Sequence, residues 1–149
     1  MTRINANIPP KLLTDQHLLA EHREIKRICD LYNKRIAKGC INDIPKTFAL
    51  GSGHVLFFLD KGKFTHNRYL ALHEECKKRK FDVSFYGDNW DCYKMPVNNF
   101  YNDWEATEQD NELIIWRIIF RLRNSPQIPR FYGKTVSVKS TVSTLISKF

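Results

Sequence analysis

The sequence predicts a mainly α-helical single domain, residues 1–149, of about three helices joined by long loops. Three observations carry that expectation. Apolar residues recur at helical spacing in three long stretches free of proline and glycine. Nothing in the chain alternates strand with helix as a parallel sheet would require. A length of 149 residues is that of one ordinary domain, able to bury a core without disulfides or a structural metal.

From the N-terminus, residues 1–13 carry Pro9 and Pro10, which disfavour a helix, so they read as an extended arm. Thr14 or Asp15 can cap the helix beyond it. From Asp15 to about Ala37, Leu18, Ile25, Cys29, Tyr32 and Ile36 recur at helical intervals, which predicts one long amphipathic helix ended by Gly39. Pro45, Gly51, Gly53 and Gly62 surround the apolar run Val55 to Leu59, which is either a short buried strand or a helical turn. A second helix is expected from about Thr65 to Arg79, with Tyr69, Leu72 and Cys76 on one face. Residues 81–103 are rich in Asn, Asp and aromatics and read as an irregular stretch. A third helix is expected from about Glu105 to Arg123, with Leu113, Trp116, Ile119 and Phe120 as its core side and Ser125-Pro126 as its stop. Residues 135–149 read as a weak strand or a frayed C-terminal tail.

Composition narrows the function. The 24 Lys+Arg against 16 Asp+Glu give a formal charge of +8, which favours a polyanionic partner such as nucleic acid. Charge alone does not prove one. Cys29, Cys40, Cys76 and Cys92 are irregularly spaced without a C-x-x-C pair, so they read as reduced thiols of an intracellular protein. No apolar run approaches the roughly 18 to 20 residues of a membrane span, and the N-terminus has no signal pattern. A soluble, cytoplasmic, monomeric protein without membrane contact is expected. The histidines lack ligand spacing, so neither a metal nor another cofactor is expected.

The first helix carries two faces. With His17 at zero on a helical wheel, Leu18, Ile25, Cys29, Tyr32 and Ile36 fall between about 60° and 120°. Glu24 falls near about 340°, Arg27 near about 280° and Arg23 near about 240°, forming a polar wall beside His17. That wall is either a solvated face or a site. Glu24 borders the apolar stripe, where burial raises a carboxyl pKa, while the arginines oppose the shift.

Met1-Thr2-Arg3-Ile4-Asn5, then Asp15-Gln16-His17-Leu18, then Ala20-Glu21-x-Arg23-Glu24-Ile25 and Arg27 resemble the phage and algal-virus endonuclease V family of pyrimidine-dimer DNA glycosylases. Gly53-His54-Val55-x-Phe57-Phe58-x-Asp60-Lys61 resembles that family's second signature, and Phe131-Tyr132-Gly133-Lys134 its C-terminal one. The resemblance covers most of residues 1–80 and is thin beyond them. It implies a compact helical domain with the N-terminal arm packed between helices. It also implies a substrate of double-stranded DNA carrying UV photoproducts or abasic sites. The same resemblance implies that, once Met1 is removed, the α-amine of Thr2 is the nucleophile that attacks C1′. It implies too that Glu24 is the catalytic carboxylate, and that Arg3, Gln16, His17, Arg23, Arg27, Tyr132 and Lys134 contact DNA. His22 stands where relatives often have an aromatic residue, and Pro126 to Arg130 lacks the aromatics some relatives carry, so lesion preference does not carry over.

The chemistry suits these residue types. An α-amine has a pKa of about 7.7 to 8.0 against roughly 10.4 for lysine, so part of it is unprotonated at neutral pH. Nearby arginines lower it further. Attachment of C1′ to nitrogen and ring opening give an imine, which acidifies the C2′ proton and permits β-elimination. Glu24 is suited to stabilise the cationic sugar and then to move protons. Arg117, Arg121 and Arg123 on the third helix either neutralise phosphates or form a solvated face, and the same alternatives hold for the run Lys77 to Lys80. Two rival functions remain: an amide hydrolase using the Thr2 hydroxyl, and a basic DNA-binding protein without chemistry.

Overall fold

The arm is the first element to be fixed. A computed structural model describes residues 3–39, 43–94 and 99–148. Ile4, Ala6 and Ile8 alternate along the arm and are fully buried, while a single 3₁₀ turn, Pro10–Leu12, ends it. Proline suits that first position because its missing N–H would have no partner there.

Helix α1, Asp15–Glu24, starts at Thr14, whose hydroxyl accepts from His17 N at 3.2 Å. Helix α2, Arg27–Lys38, comes directly after it and ends at Gly39, whose φ of 66° is a left-handed cap suited to glycine. The single helix expected here is therefore two. At Ile25 and Lys26 the backbone stays right-handed, but the bonds tighten to Ile28 N→Ile25 O and Cys29 N→Lys26 O. A 3₁₀ joint of this kind keeps side chains nearly in phase, so Leu18, Ile25, Cys29 and Tyr32 still share the buried side. Ile36, at the far end, is exposed.

The run around Val55 is helical: a 3₁₀ turn, Gly51–Gly53, leads into α3, His54–Phe57, and Phe57, Phe58 and Leu59 enter the core. Helix α4, Gly62–Lys78, buries Tyr69, Leu72 and Cys76 as expected. Gly62 is required where it stands, because a Cβ there would lie 2.7 Å from the Tyr93 ring. Part of the stretch expected to be irregular forms a 3₁₀ helix, Gly87–Lys94. Its Trp90 Nε1 donates to Thr65 Oγ1 at 2.9 Å, and its Tyr93 hydroxyl donates to Leu59 O at 2.8 Å. These bonds satisfy buried polar groups and seat the segment on α4.

Helix α5, Glu108–Asn124, begins three residues later than expected. Thr107 and Asp110 form a capping box that sets its start. Its core face also differs. Ile114, Ile118 and Leu122 are buried, whereas Leu113, Trp116 and Phe120 are exposed. The helix carries two apolar stripes, and the one through Ile114, Ile118 and Leu122 packs inward.

Beyond it, Arg130–Phe131 and Lys134–Thr135 pair as a small antiparallel hairpin, β1 and β2. Its two-residue turn, Tyr132-Gly133, has φ of 51° and 80°, the positive values such a turn needs. The expected strand or frayed tail is instead a helix, α6, Val138–Lys148, which packs on α5 through Thr141, Val142 and Leu145. Six α-helices are thus present among the described residues, rather than about three. The molecule is mainly helical.

Candidate nucleic-acid interface and active site

Three helices converge on the arm and hold it by its backbone. Ile4 N donates to His54 Nε2 at 2.9 Å, so Nε2 is unprotonated and Nδ1 carries the hydrogen that it donates to Ala49 O at 3.1 Å. Burial, then the Arg117 charge, lowers the His54 pKa to about 4, which keeps the ring neutral for this role. Arg117 Nη2 donates to Ile4 O at 3.0 Å. Asn5 Nδ2 donates to Glu21 Oε1 at 2.8 Å. Glu21 also accepts from Arg68 Nε and Nη2 at 2.7 and 3.0 Å, and Arg68 Nη1 donates to Ile8 O at 2.6 Å. Both carboxylate oxygens of this buried ion pair are hydrogen-bonded, which offsets its desolvation.

The clamp presents Arg3 to a cleft of about 720 Å³ between α1 and α5, whose lining includes Gln16, His17, Arg23, Arg117, Phe120, Arg121, Asn124 and Gln127. A smaller recess shares Arg3, His17, Ala20 and Arg121 with it and adds Asn5, Glu21 and Glu24. Glu21 is committed to Arg68 and Asn5, which leaves Glu24 as the carboxylate of this recess that takes no part in the arm clamp.

The electrostatics are one-sided. Burial, then Arg3 and Arg121, lowers the His17 pKa to about 4, so its imidazole is neutral. Burial and the neighbouring Arg121 charge lower Arg117 to about 10, where it remains a cation at neutral pH. Arg121 is lowered by burial and by Arg3. The buried nitrogens Arg3 Nε, His17 Nδ1, Arg117 Nε and Arg121 Nε have no hydrogen-bond partner among the described residues. Leaving a buried donor unpaired costs about 1–3 kcal/mol each. The three arginine N–H groups among these nitrogens are such donors, and their gathering around one cleft favours an anionic, acceptor-rich ligand.

The structure brings Arg3, Gln16, His17 and Arg23 into the cleft and Glu24 into its recess. The Gln16 carboxamide is also a strut: it donates to Ile128 O at 2.7 Å and accepts from Arg130 N at 3.1 Å. Arg27 is exposed at the start of α2 and does not line the cleft. Neither do Tyr132 and Lys134. The Tyr132 and Gly133 amides donate to Asp15, and the Tyr132 hydroxyl donates to Glu75 at 2.8 Å. Thr2 lies outside the described residues, as does Cys40.

Arg79, within the basic run Lys77 to Lys80, is buried. It donates to Asp15, Glu75 and Pro10 O, tying α1, α4 and the end of the arm together. His22 is buried too, against Tyr69 and Tyr86, with its Nε2 3.1 Å from His73 Nδ1. A histidine in place of an aromatic there fills an aromatic slot between α1 and α4, away from the cleft. Sequence reasoning missed the clamp formed by Asn5, Glu21, His54 and Arg68. Polar residues at helical positions otherwise apolar were the available signal.

Among the described residues no group of three or more His, Cys, Asp or Glu side chains is placed to hold a metal ion, and no helix is long and apolar enough to cross a membrane. Residues 1–86 match the family model described as pyrimidine dimer DNA glycosylase.

Proposed function

The chain belongs to the pyrimidine dimer DNA glycosylase family, an enzyme family, and we propose that it excises dimerised pyrimidines with the α-amine of Thr2 and then nicks the strand. Family membership sets aside the reading of a DNA-binding protein without chemistry. The observation that carries the mechanism is the clamp on Ile4 and Asn5, which sets Arg3, the residue bonded to Thr2, in the cationic cleft.

With Met1 removed, the amine of Thr2 attacks C1′ of the damaged nucleotide as the glycosidic bond breaks and its electron pair leaves with the base. The sugar ring then opens to give an imine between C1′ and the Thr2 nitrogen. Loss of a C2′ proton expels the 3′ phosphate by β-elimination, and water releases the enzyme. Arg3 and Arg121, which already depress the His17 pKa, provide a field that also favours the neutral amine. Glu24 stabilises the cationic sugar and moves protons in the elimination. Neutral His17 serves as a hydrogen-bonding group at the sugar or phosphate. Arg23, Arg117 and Arg121 position phosphates, and Gln16 holds the 128–130 segment against the cleft. Access to C1′ requires the duplex to bend or a nucleotide to leave its stack, which a poorly stacked dimer makes easier.

Borohydride reduction in the presence of dimer-containing or abasic duplex tests this. The expected result is a covalent adduct on the N-terminal peptide of protein whose Met1 is confirmed absent by mass spectrometry. No adduct from such protein would reject the imine. Thr2→Ala retains the amine and is expected to keep cutting, whereas a hydroxyl nucleophile predicts loss of activity.

A further inference from the structure

Helix α5 presents a second surface beside the cleft. Trp116 is 70 % exposed and Phe120 53 %, on successive turns, and their rings stack at 5.9 Å with planes 12° apart. With Trp116 at zero on a wheel, Phe120 falls near about 40°, Arg117 near about 100° and Arg121 near about 140°. The buried residues Ile114, Ile118 and Leu122 occupy about 160° to 240°. The aromatic strip therefore points away from the core, and the arginines separate the two. Phe120 itself lines the cleft beside Arg117 and Arg121, so the ring pair is continuous with the cationic surface.

Core packing does not account for these rings. Flat aromatic faces bordered by cations match a nucleic acid strand, whose phosphates take the charge and whose bases take the π-face. A second copy of this chain is a poorer match, since a two-fold contact through this face would bring like-charged arginines together. We propose that Trp116 and Phe120 form a stacking platform for a nucleobase that leaves the duplex stack as DNA enters the cleft. The platform rests on the DNA glycosylase reading and assigns part of its substrate contact to a surface separate from the reacting sugar.

The test compares Trp116→Ala, Phe120→Ala and the double variant with Arg121→Ala, using a duplex that carries a thymine dimer and one that carries a stable abasic-site analogue. Each ring is more than half exposed, so thermal midpoints close to that of the unaltered protein are expected and confirm folding. Affinity is expected to fall about fivefold or more for each ring, and further for the pair, with an unchanged salt slope. DNA is also expected to quench tryptophan fluorescence, and Trp116→Ala to remove most of that quenching, because Trp90 is buried and Trp104 is half-buried among Phe48, Phe57 and Phe58. Unchanged affinity in the ring variants alongside weakened binding by Arg121→Ala would overturn the platform and leave the glycosylase reading standing. Unchanged affinity in all of them would overturn the platform and remove Arg121 from duplex binding, leaving the chemistry to the borohydride test. Self-association abolished by Trp116→Ala, with DNA affinity intact, would give the face to a second copy and overturn the platform.

Discussion

One imidazole is part of the clamp on the arm, because Ile4 N–H donates to the lone pair of His54 Nε2. Protonation would replace that lone pair with a second donor. His17, His22 and His54 each have a folded pKa lowered from 6.5 to about 4, chiefly by burial. The unfolded chain therefore binds more protons than the native one between pH 6.5 and 4. The stability these three histidines contribute is fully present above pH 6.5, falls as the pH drops through this window, and is lost below it. Urea midpoints measured across this range are expected to decline on acidification, and a flat profile would refute the assignment. His54→Ala leaves Ile4 N–H without its acceptor and is expected to cost about 1–3 kcal/mol. Because the same bond aims the arm, turnover should fall more than lesion affinity does. Glu24→Gln isolates the chemistry: dimer binding should persist while cleavage drops by about 10²- to 10⁴-fold. Equal turnover in that variant would remove Glu24 from the mechanism.

At the scale of elements, α5 gives the clearest test of which stripe is core. Leu122→Ala is expected to cost about 2–5 kcal/mol, and Leu113→Ala no more than about 0.5–1 kcal/mol. Chemical denaturation would reveal the reverse order if the helix were turned the other way. The sequence favoured the wrong stripe because Trp116 and Phe120 are large, and large apolar rings suggest burial. Ile114, Ile118 and Leu122 are spaced as well as their rivals, and tertiary packing against the arm, α1 and α6 decides between the two faces. α6 itself was hidden for a related reason: Ser, Thr and Val have modest helix propensity, and α5 supplies the apolar surface that makes the segment helical. The first stripe was legible through Tyr32 because the joint at Ile25 and Lys26 preserves right-handed dihedrals. The joint was not, since neither residue is a helix breaker. Of the residues lining the candidate cleft and its recess, Arg3 was readable from the motif on the arm, and Gln16, His17, Arg23 and Glu24 from the motif on α1. The clamp was not, because Arg68 and His54 meet the arm across about 50 to 60 residues of sequence.

Over the whole molecule, the same kind of residue has two separate uses. Arg68 and Arg79 are buried against Glu21, Asp15 and Glu75, where they join elements distant in sequence. Arg3, Arg117 and Arg121 carry buried Nε atoms at the cleft without acceptors among the described residues, and Arg23 lines it with them. The count of 24 Lys+Arg therefore overstates the cations free to meet a polyanion, and the formal charge of +8 does not locate them. The two groups predict different consequences. Neutralising phosphates releases condensed counterions, so four cleft arginines imply a log–log salt slope of about −3.6 for duplex binding. Between 50 and 200 mM salt, affinity should fall by about two orders of magnitude. Arg121→Ala should reduce the slope by about one, with little change in stability. Arg79→Ala should do the opposite: it leaves Asp15 and Glu75 buried without their cation, at about 3–5 kcal/mol, and keeps the slope in protein that remains folded. Duplex affinity titrated over a salt series for both variants, with melts on the same preparations, separates the roles. A slope unaltered by Arg121→Ala, or reduced by Arg79→Ala, would show that the cleft is not where the phosphates lie.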